Sequence, residues 1–280
     1  MDKKKSPLDQ FYTKDAIAVK CYEIVKKLYD DNVDFYIEPS AGTGSFYKLL
    51  PKNRRMGLDL EPKHHGIIRE DFLKPNCFLK NLPFGLNSYN TFGVIGNPPF
   101  GKNSSLAVEF FNQSAHFGAK FIAFIVPMTF RKRSIQNRLN INYHLEDETI
   151  LEKNSFIFED KPYDVPCVFQ IWEKKEHERS KIPTFTKHDD FIFTTKEDAD
   201  ISLQRVGVDA GKIRYENFED RSPQSHFFIK FNNKDLSRRF DVLDFDSVKF
   251  NTAGNPSVSK SELIELYCKK YDGVFWRNKR

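Results

Sequence analysis

The chain has 280 residues, with 44 lysines and arginines against 39 aspartates and glutamates, and a formal charge of +5. That length holds one large domain, or one ordinary domain with a smaller addition, and the charge permits nucleic acid as a partner without requiring it. No run of about 18 apolar residues exists, so no membrane span is expected, and residues 1–10, polar and carrying Lys3, Lys4 and Lys5, lack the apolar region of a signal peptide.

Cys21, Cys77, Cys167 and Cys268 lie far apart with no C-x-x-C pair, so they make neither a disulfide framework nor a zinc site. A reducing compartment and no metal are the expectation. Charge is spread evenly: residues 1–180 hold 26 basic and 23 acidic side chains, residues 181–280 hold 18 and 16. Phenylalanine is abundant at 28 residues, against 13 glycines.

From Thr13 to Tyr29, the residues Ile17, Cys21, Ile24, Val25 and Leu28 recur at helical spacing, with Thr13 placed to cap. Residues 35–37 (F-Y-I) form a short apolar run ending in Glu38, Pro39 and a glycine turn, which predicts a buried strand leading into a helix. Further strands are predicted at 56–60, at 67–68 before Asp71, and at 91–96, which ends in Asn97, Pro98, Pro99 and Phe100. Leu106, Ala107, Phe110, Phe111 and Ser114 line one face of the next helix. Residues 121–126 (F-I-A-F-I-V) are apolar on both faces, as in a parallel sheet covered by helices.

Strand and helix alternate to about residue 142, the pattern of a doubly wound α/β sheet. Residues 148–151 and 165–172, joined by a loop around 159–164, predict an antiparallel pair at one edge. The charged stretch 173–181 marks a boundary. Beyond it lie two mixed segments (191–195 and 225–231) and one helix after Ser259, where Ser259 and Glu262 have capping-box spacing. This last region is too short for a second chemistry with its own core, so it is expected as a small C-terminal appendage.

Two constellations carry chemistry. The first is Glu38, Pro39, Ser40, Ala41, Gly42, Thr43, Gly44, Ser45 and Phe46 at the tip of the first strand, where glycines let a ligand approach the backbone closely. It departs from the dinucleotide pattern G-x-G-x-x-G, and no G-K-[ST] follows, so it is no P-loop. Glu38 there repels a pyrophosphate and attracts a cation. Asp59, followed by Leu60, ends the second strand where a carboxylate holds ribose hydroxyls in such sheets. Asp71 ends the third, beside Phe72. Three acids around one crevice suit a nucleoside with a positive centre, which describes S-adenosylmethionine.

The second constellation is Asn97, Pro98, Pro99 and Phe100. Proline has no N–H, so the turn offers carbonyl oxygens in fixed directions. Asn97 adds a side-chain acceptor and Phe100 a flat apolar face, a set that suits a planar, amide-like amine.

These segments resemble the S-adenosylmethionine-dependent amino methyltransferases, specifically the N6-adenine DNA group in its gamma arrangement. The loop Glu38–Phe46 resembles their first motif, Asp59 and Asp71 their next acidic positions, and Asn97–Phe100 their (D/N)-P-P-(Y/F) catalytic motif. Gln10, Phe11, Tyr12, Thr13 and Lys14 resemble the segment that closes over the cofactor. The match runs from residue 9 to about 172. It implies a Rossmann-like methyltransferase sheet over residues 1–176. Beyond it the chain departs from longer family members, and residues 177–280 are expected as a small target-recognition or nucleic-acid-binding element, too short for a large sequence-reading domain.

The resemblance also implies the reaction: Asn97 and the Pro98 carbonyl accept from the adenine amino group, and the methyl group passes directly to nitrogen. Phe100 stacks on a base flipped out of the helix, and Phe156 is the expected partner on the base's other face. Phe72 packs on the cofactor adenine. Lys102, which follows the motif, and Arg131, Lys132 and Arg133, in a stretch free of acids, are expected to meet phosphates. DNA is the expected partner. RNA, a protein glutamine amide, and a non-catalytic nucleic-acid-binding subunit are the alternatives. A homodimer or a helper subunit, and a cytoplasmic, nucleoid or nuclear setting including a phage or virus, complete the expectations, together with a restriction-modification role.

Overall fold

The computed structural model describes residues 11–29, 32–74 and 91–273. Gln10, Cys77, residues 81–90 and the terminal Arg277, Lys279 and Arg280 lie outside the described residues. The chain divides into two compact units, Met1–Ile182 and Pro183–Arg280, where the charged stretch ends.

In the first unit the strands are β1 (Tyr12–Thr13), β2 (Phe35–Glu38), β3 (Arg55–Asp59), β4 (Ile68–Arg69), β5 (Phe92–Gly96) and β6 (Phe121–Pro127). They are followed by β7 (Tyr143–Ile150), β8 (Phe156–Phe158), β9 (Lys161–Tyr163) and β10 (Cys167–Lys174). Seven of them make one sheet in the order β4-β3-β2-β5-β6-β10-β7. β4 through β6 are parallel. β10 lies antiparallel between β6 and β7, which forms the expected antiparallel edge.

Strand periodicity divides the core. On β6, Phe121, Ala123 and Ile125 join a cluster with Ile17, Cys21 and Val25 of the Asp15–Tyr29 helix. Ile122, Phe124 and Val126 join the cluster of Ala107, Phe110 and Phe111 from the Ser105–His116 helix. All seven residues of β6 are buried. The larger ones each gain about 1.5–3 kcal/mol by leaving water. Helices on both faces of a mostly parallel sheet make the doubly wound α/β fold.

Three local expectations fail, each for a visible reason. Thr13 does not cap the first helix: it belongs to β1, and the Lys14 carbonyl accepts the amides of Ile17 and Ala18. The residues after Gly44 wind through successive turns instead of an α-helix. Pro51 has no N–H to give the Tyr47 carbonyl, and the Arg55 guanidinium takes it at 2.7 Å and the Leu50 carbonyl at 3.0 Å. The loop near residues 159–164 is the hairpin β8–β9, and β1 pairs with β8 through Tyr12 and Ile157 to give a second, three-stranded sheet.

The second unit is more than an appendage. β11 (Phe191–Thr194), β12 (Ile201–Gln204), β13 (Ile213–Arg214) and β14 (His226–Phe231) form an antiparallel sheet in the order β11-β14-β12-β13. Phe191, Ile201, Leu203, Ile229 and Phe231 share a core with Leu263, Ile264 and Tyr267 of the helix Lys260–Tyr271. Ser259 and Glu262 close the capping box at its start. Alternating apolar residues on short strands bury enough area here to give this unit its own core, against the expectation. No helix among the described residues is long and apolar enough to cross a membrane.

Candidate active site

From β2 the chain steps outward to β3 and β4, then returns to the opposite side of β2 as β5. That reversal opens a crevice at the carboxyl ends of β2 and β5, the place where such sheets bind ligands. A cleft of about 620 Å³ lies there, a size that suits a small-molecule site.

Its lining gathers nearly every residue singled out for cofactor and catalysis: Phe11, Tyr12, Thr13, Glu38, Pro39, Ser40, Ala41, Gly42, Asp59, Leu60, Asp71, Phe72, Asn97, Pro98, Pro99 and Phe100. Gly44 does not line it; its φ of +79° shapes the loop from behind. Thr43, Ser45, Phe46, Glu61, Arg69, Glu70, Leu73, Leu106 and Phe110 also border the cleft. Most of these are chain neighbours of predicted residues. Leu106 and Phe110 read only as helix core, because their spacing is that of any buried helical face.

Gly42 turns the chain at φ +48°, and its amide donates to Asp59 Oδ2 at 2.7 Å. The Glu61 amide donates to Asp59 Oδ1 at 2.7 Å. Each carboxylate oxygen retains a second lone pair for a ligand hydroxyl. Asp71 Oδ1 accepts the Leu73 amide at 3.0 Å, which sets the turn that carries Phe72. The Phe72 ring stacks on Phe110, with centroids 5.4 Å apart.

Three cleft-lining groups carry buried polar atoms that lack a hydrogen-bond partner: Thr13 Oγ1, Glu38 Oε2 and Asn97 Oδ1. Such atoms are uncommon, and three at one cleft mark a place prepared for polar ligand groups. Glu38 is 2% exposed. Burial pushes its pKa well above the ordinary carboxyl value, and the Asp59 charge pushes the same way, while backbone amides of Tyr47 and Phe46 and the Lys48 charge pull it down. Tyr12 is also raised, first by burial and then by the charges of Asp59 and Glu61.

Asn97 follows β5, with its amide orientation fixed. Its Nδ2 donates to the Phe11 carbonyl at 3.1 Å, leaving Oδ1 as an acceptor. Its own backbone carbonyl accepts from Ser40 Oγ at 3.1 Å, which ties the Asn97–Phe100 turn to the glycine loop. Phe100 is buried yet borders the cleft.

Two expectations are corrected here. Phe156 is fully buried in the core and does not border the cleft, because its place in β8, opposite Thr13, turns it inward. Its strand neighbour Phe158 and Tyr163 of β9 surround Phe11, the latter stacked on it at 4.7 Å. Arg131 is paired: its Nε donates to Glu148 Oε1 at 3.0 Å, an acid brought in by β7. Lys132, Arg133 and Lys102 do not line the cleft; Lys102 is exposed, directly after the Asn97–Phe100 turn.

In the second unit, His188, Cys268 and Asp272 cluster closely enough to suggest a cation. The hydrogen bonds favour another arrangement. The Asp190 amide donates to His188 Nδ1 at 3.0 Å, so the ring proton sits on Nε2 and points to Asp272 Oδ2 at 3.0 Å. No lone pair at Nε2 is left for a metal in that tautomer.

No protein-family model matches the chain. It is 25% identical over 229 residues to Protein ENHANCED DOWNY MILDEW 2 of Arabidopsis thaliana, an alignment covering 69% of this chain and 17% of that protein. The chain therefore spans about a sixth of the length of that curated relative. Among solved structures it is similar to the type I restriction-modification system methyltransferase subunit from Streptococcus thermophilus, with a TM-score of 0.42, 18% identity, and coverage of 63% of this chain and 46% of that one. It is also similar to the N-methyltransferase NodS from Bradyrhizobium japonicum, with a TM-score of 0.38, 12% identity, and coverage of 57% and 96%.

Proposed function

We propose that the protein transfers a methyl group from S-adenosylmethionine to the N6 amino group of an adenine in DNA. The observation that carries this reading is the Asn97 amide: its Nδ2 is engaged by Phe11, so a buried, partnerless Oδ1 faces a ligand as acceptor only. An acceptor of that kind, followed by two prolines, suits an amine that must give up its N–H directions to be oriented.

The donor set also fits the cofactor. Thr13 offers a hydroxyl for a carboxylate, Glu38 an acceptor for an ammonium, and Asp59 spare lone pairs for ribose hydroxyls. The apolar surface of Phe72 and Leu73 suits an adenine ring. When bound, the cofactor supplies a methyl group on a positively charged sulfur.

The chain's own residues then supply position and electrostatics. Asn97 Oδ1 and the Pro98 carbonyl accept from the target amino group and turn its lone pair toward the methyl donor. Phe100 offers a flat face to the flipped base, and Lys102, exposed beside the turn, meets the backbone. Holding two reactants in line, with fixed dipoles on the nitrogen, supplies most of the acceleration such a transfer needs. No covalent intermediate with the protein is required.

The test supplies tritiated cofactor to the protein with duplex DNA, single-stranded DNA, RNA and a protein extract in parallel. Label recovered as N6-methyladenine in DNA is expected. Label in RNA or in protein alone would overturn the choice of substrate, and no transferred label anywhere would overturn the activity.

A further inference from the structure

We propose that Glu38 is protonated in the free protein and surrenders its proton when the cationic cofactor enters, so that cofactor binding is coupled to proton release. This rests on the cofactor assigned above and goes beyond it, because it concerns the charge state of the cleft before and after binding.

The geometry argues for it. Glu38 ends β2 at the floor of the cleft, 2% exposed, with Oε2 lacking any partner. An ionised carboxylate with an unsatisfied oxygen in such a place is expensive unless a cation stands beside it. The groups that face it from the surrounding elements do not provide one. From the end of β3 comes Asp59, a second negative charge, and from β5 comes Gly96, with no side chain. The following loop contributes the Tyr47 and Phe46 amides, which soften the burial, and Lys48, whose charge acts from an exposed position. Desolvation outweighs these and keeps the acid neutral, in line with the direction of its pKa.

A ligand ammonium arriving at Oε2 reverses the balance. The Glu38 O–H bond breaks, the proton leaves to solvent, and the carboxylate accepts from the ammonium as a charge-assisted pair. The consequence is selectivity by charge: a neutral nucleoside leaves Glu38 protonated and gains nothing from it, whereas a cationic one gains an ion pair formed in place. Affinity for the cationic ligand then rises with pH, by up to about tenfold per pH unit in the window between the bound and free pKa values.

Calorimetry of the full chain tests this with S-adenosylmethionine, and with adenosine as the neutral probe. Titrations at about pH 6.5, below the range in which an α-amino group loses its proton, are repeated in buffers of different ionisation enthalpy. Wild-type protein is expected to release protons on binding S-adenosylmethionine and none on binding adenosine. Glu38→Gln is expected to abolish the release and weaken S-adenosylmethionine by at least about tenfold, while adenosine binds both proteins equally. Tight S-adenosylmethionine binding without proton release, or equal release by Glu38→Gln, overturns the proposal but leaves the cofactor assignment standing. Failure of wild-type protein to bind S-adenosylmethionine overturns both.

Discussion

The Asn97 side chain donates from Nδ2 to the backbone carbonyl of Phe11, 3.1 Å away and 86 positions earlier in the chain. The acceptor belongs to the segment beside the cleft that continues into β1, held from outside the main sheet. Tyr12 pairs with Ile157 of β8, and the Phe11 ring lies flat on Tyr163 of β9, with planes inclined by 10°. The direction of the Asn97 acceptor is therefore set by a small sheet that the doubly wound core does not contain. Asparagine amides rotate easily; here one hydrogen bond decides which end faces the cleft.

That relationship separates two substitutions at the same position. Asn97→Ala removes the acceptor, and methyl transfer is expected to fall by about 10² or more, the scale seen when one preorganised polar contact is removed. Asn97→Asp keeps an acceptor but sets a carboxylate oxygen against the Phe11 carbonyl, so β1 is expected to loosen. Turnover of that variant should lie between those of wild type and Asn97→Ala. Calorimetric affinity for S-adenosylmethionine should stay near the wild-type value in Asn97→Ala. Near-normal turnover of Asn97→Ala in single-turnover assays would refute the role given to this residue.

Much of this site is legible in the residues themselves, and the exceptions follow a rule. The run F-I-A-F-I-V reads as a doubly buried strand because nothing in it tolerates water, and it is one: β6 sends alternate residues to two separate clusters. Glu38 and Asn97 read as strand-end groups because turn-forming residues follow them, Asp59 because it breaks an apolar run, and all three line the cleft. What fails depends on partners far away in sequence. Arg131 looks free in a stretch without acids, yet β7 folds Glu148 against it. Phe156 has the composition of a stacking residue, but pairing of β8 with the two-residue β1 turns it into the core. A strand of two residues has no periodicity to detect; tertiary pairing alone creates it.

Gly42 is held in a conformation that other residues resist. Its φ is +48°, its amide binds Asp59 Oδ2, and a Cβ there would stand 2.9 Å from Tyr12 Cε1. Gly42→Ala is expected to destabilise the protein by about 1–2 kcal/mol through the left-handed backbone alone. Displacement of Tyr12 from the cleft wall should also weaken S-adenosylmethionine by about tenfold, equivalent to about 1.4 kcal/mol. Thermal melts and calorimetry measure the two effects separately. An unchanged melting temperature would mean that the loop has another accessible conformation.

Arg131 and Lys102 are expected to behave differently, although both are basic residues of the first unit. The Arg131–Glu148 pair is partly exposed, so Arg131→Ala is expected to cost only about 0.5–1 kcal/mol of stability. Glu148 also accepts from Gln170 at 2.8 Å, and Gln170 in turn accepts from Trp172 at 3.0 Å, so the pair is joined to the buried strand β10. A double-mutant cycle with Glu148→Ala should return a measurable coupling. The salt dependence of DNA binding should hardly change in Arg131→Ala, whereas Lys102→Ala should lower its slope by about one counterion. The opposite pattern would give Arg131 the phosphate contact.

Glu38 also links stability to pH in the free protein, with a definite sign. Its pKa is raised by folding, so between the ordinary carboxyl value and the folded value the native state binds more protons than the unfolded chain. Stability from this group is complete at low pH and is lost steadily as pH rises through that window. Glu38→Gln keeps the shape and removes the titration, so its stability profile should be flatter, with the variant gaining on wild type toward higher pH. Urea melts at half-unit intervals from about pH 5 to pH 8 give the comparison, since other carboxyls contribute equally to both proteins. A wild-type profile parallel to that of Glu38→Gln throughout would mean that Glu38 is already ionised in the free protein. A steady gain of Glu38→Gln over wild type with rising pH would mark Glu38 as the buried acid that a cationic ligand has to ionise.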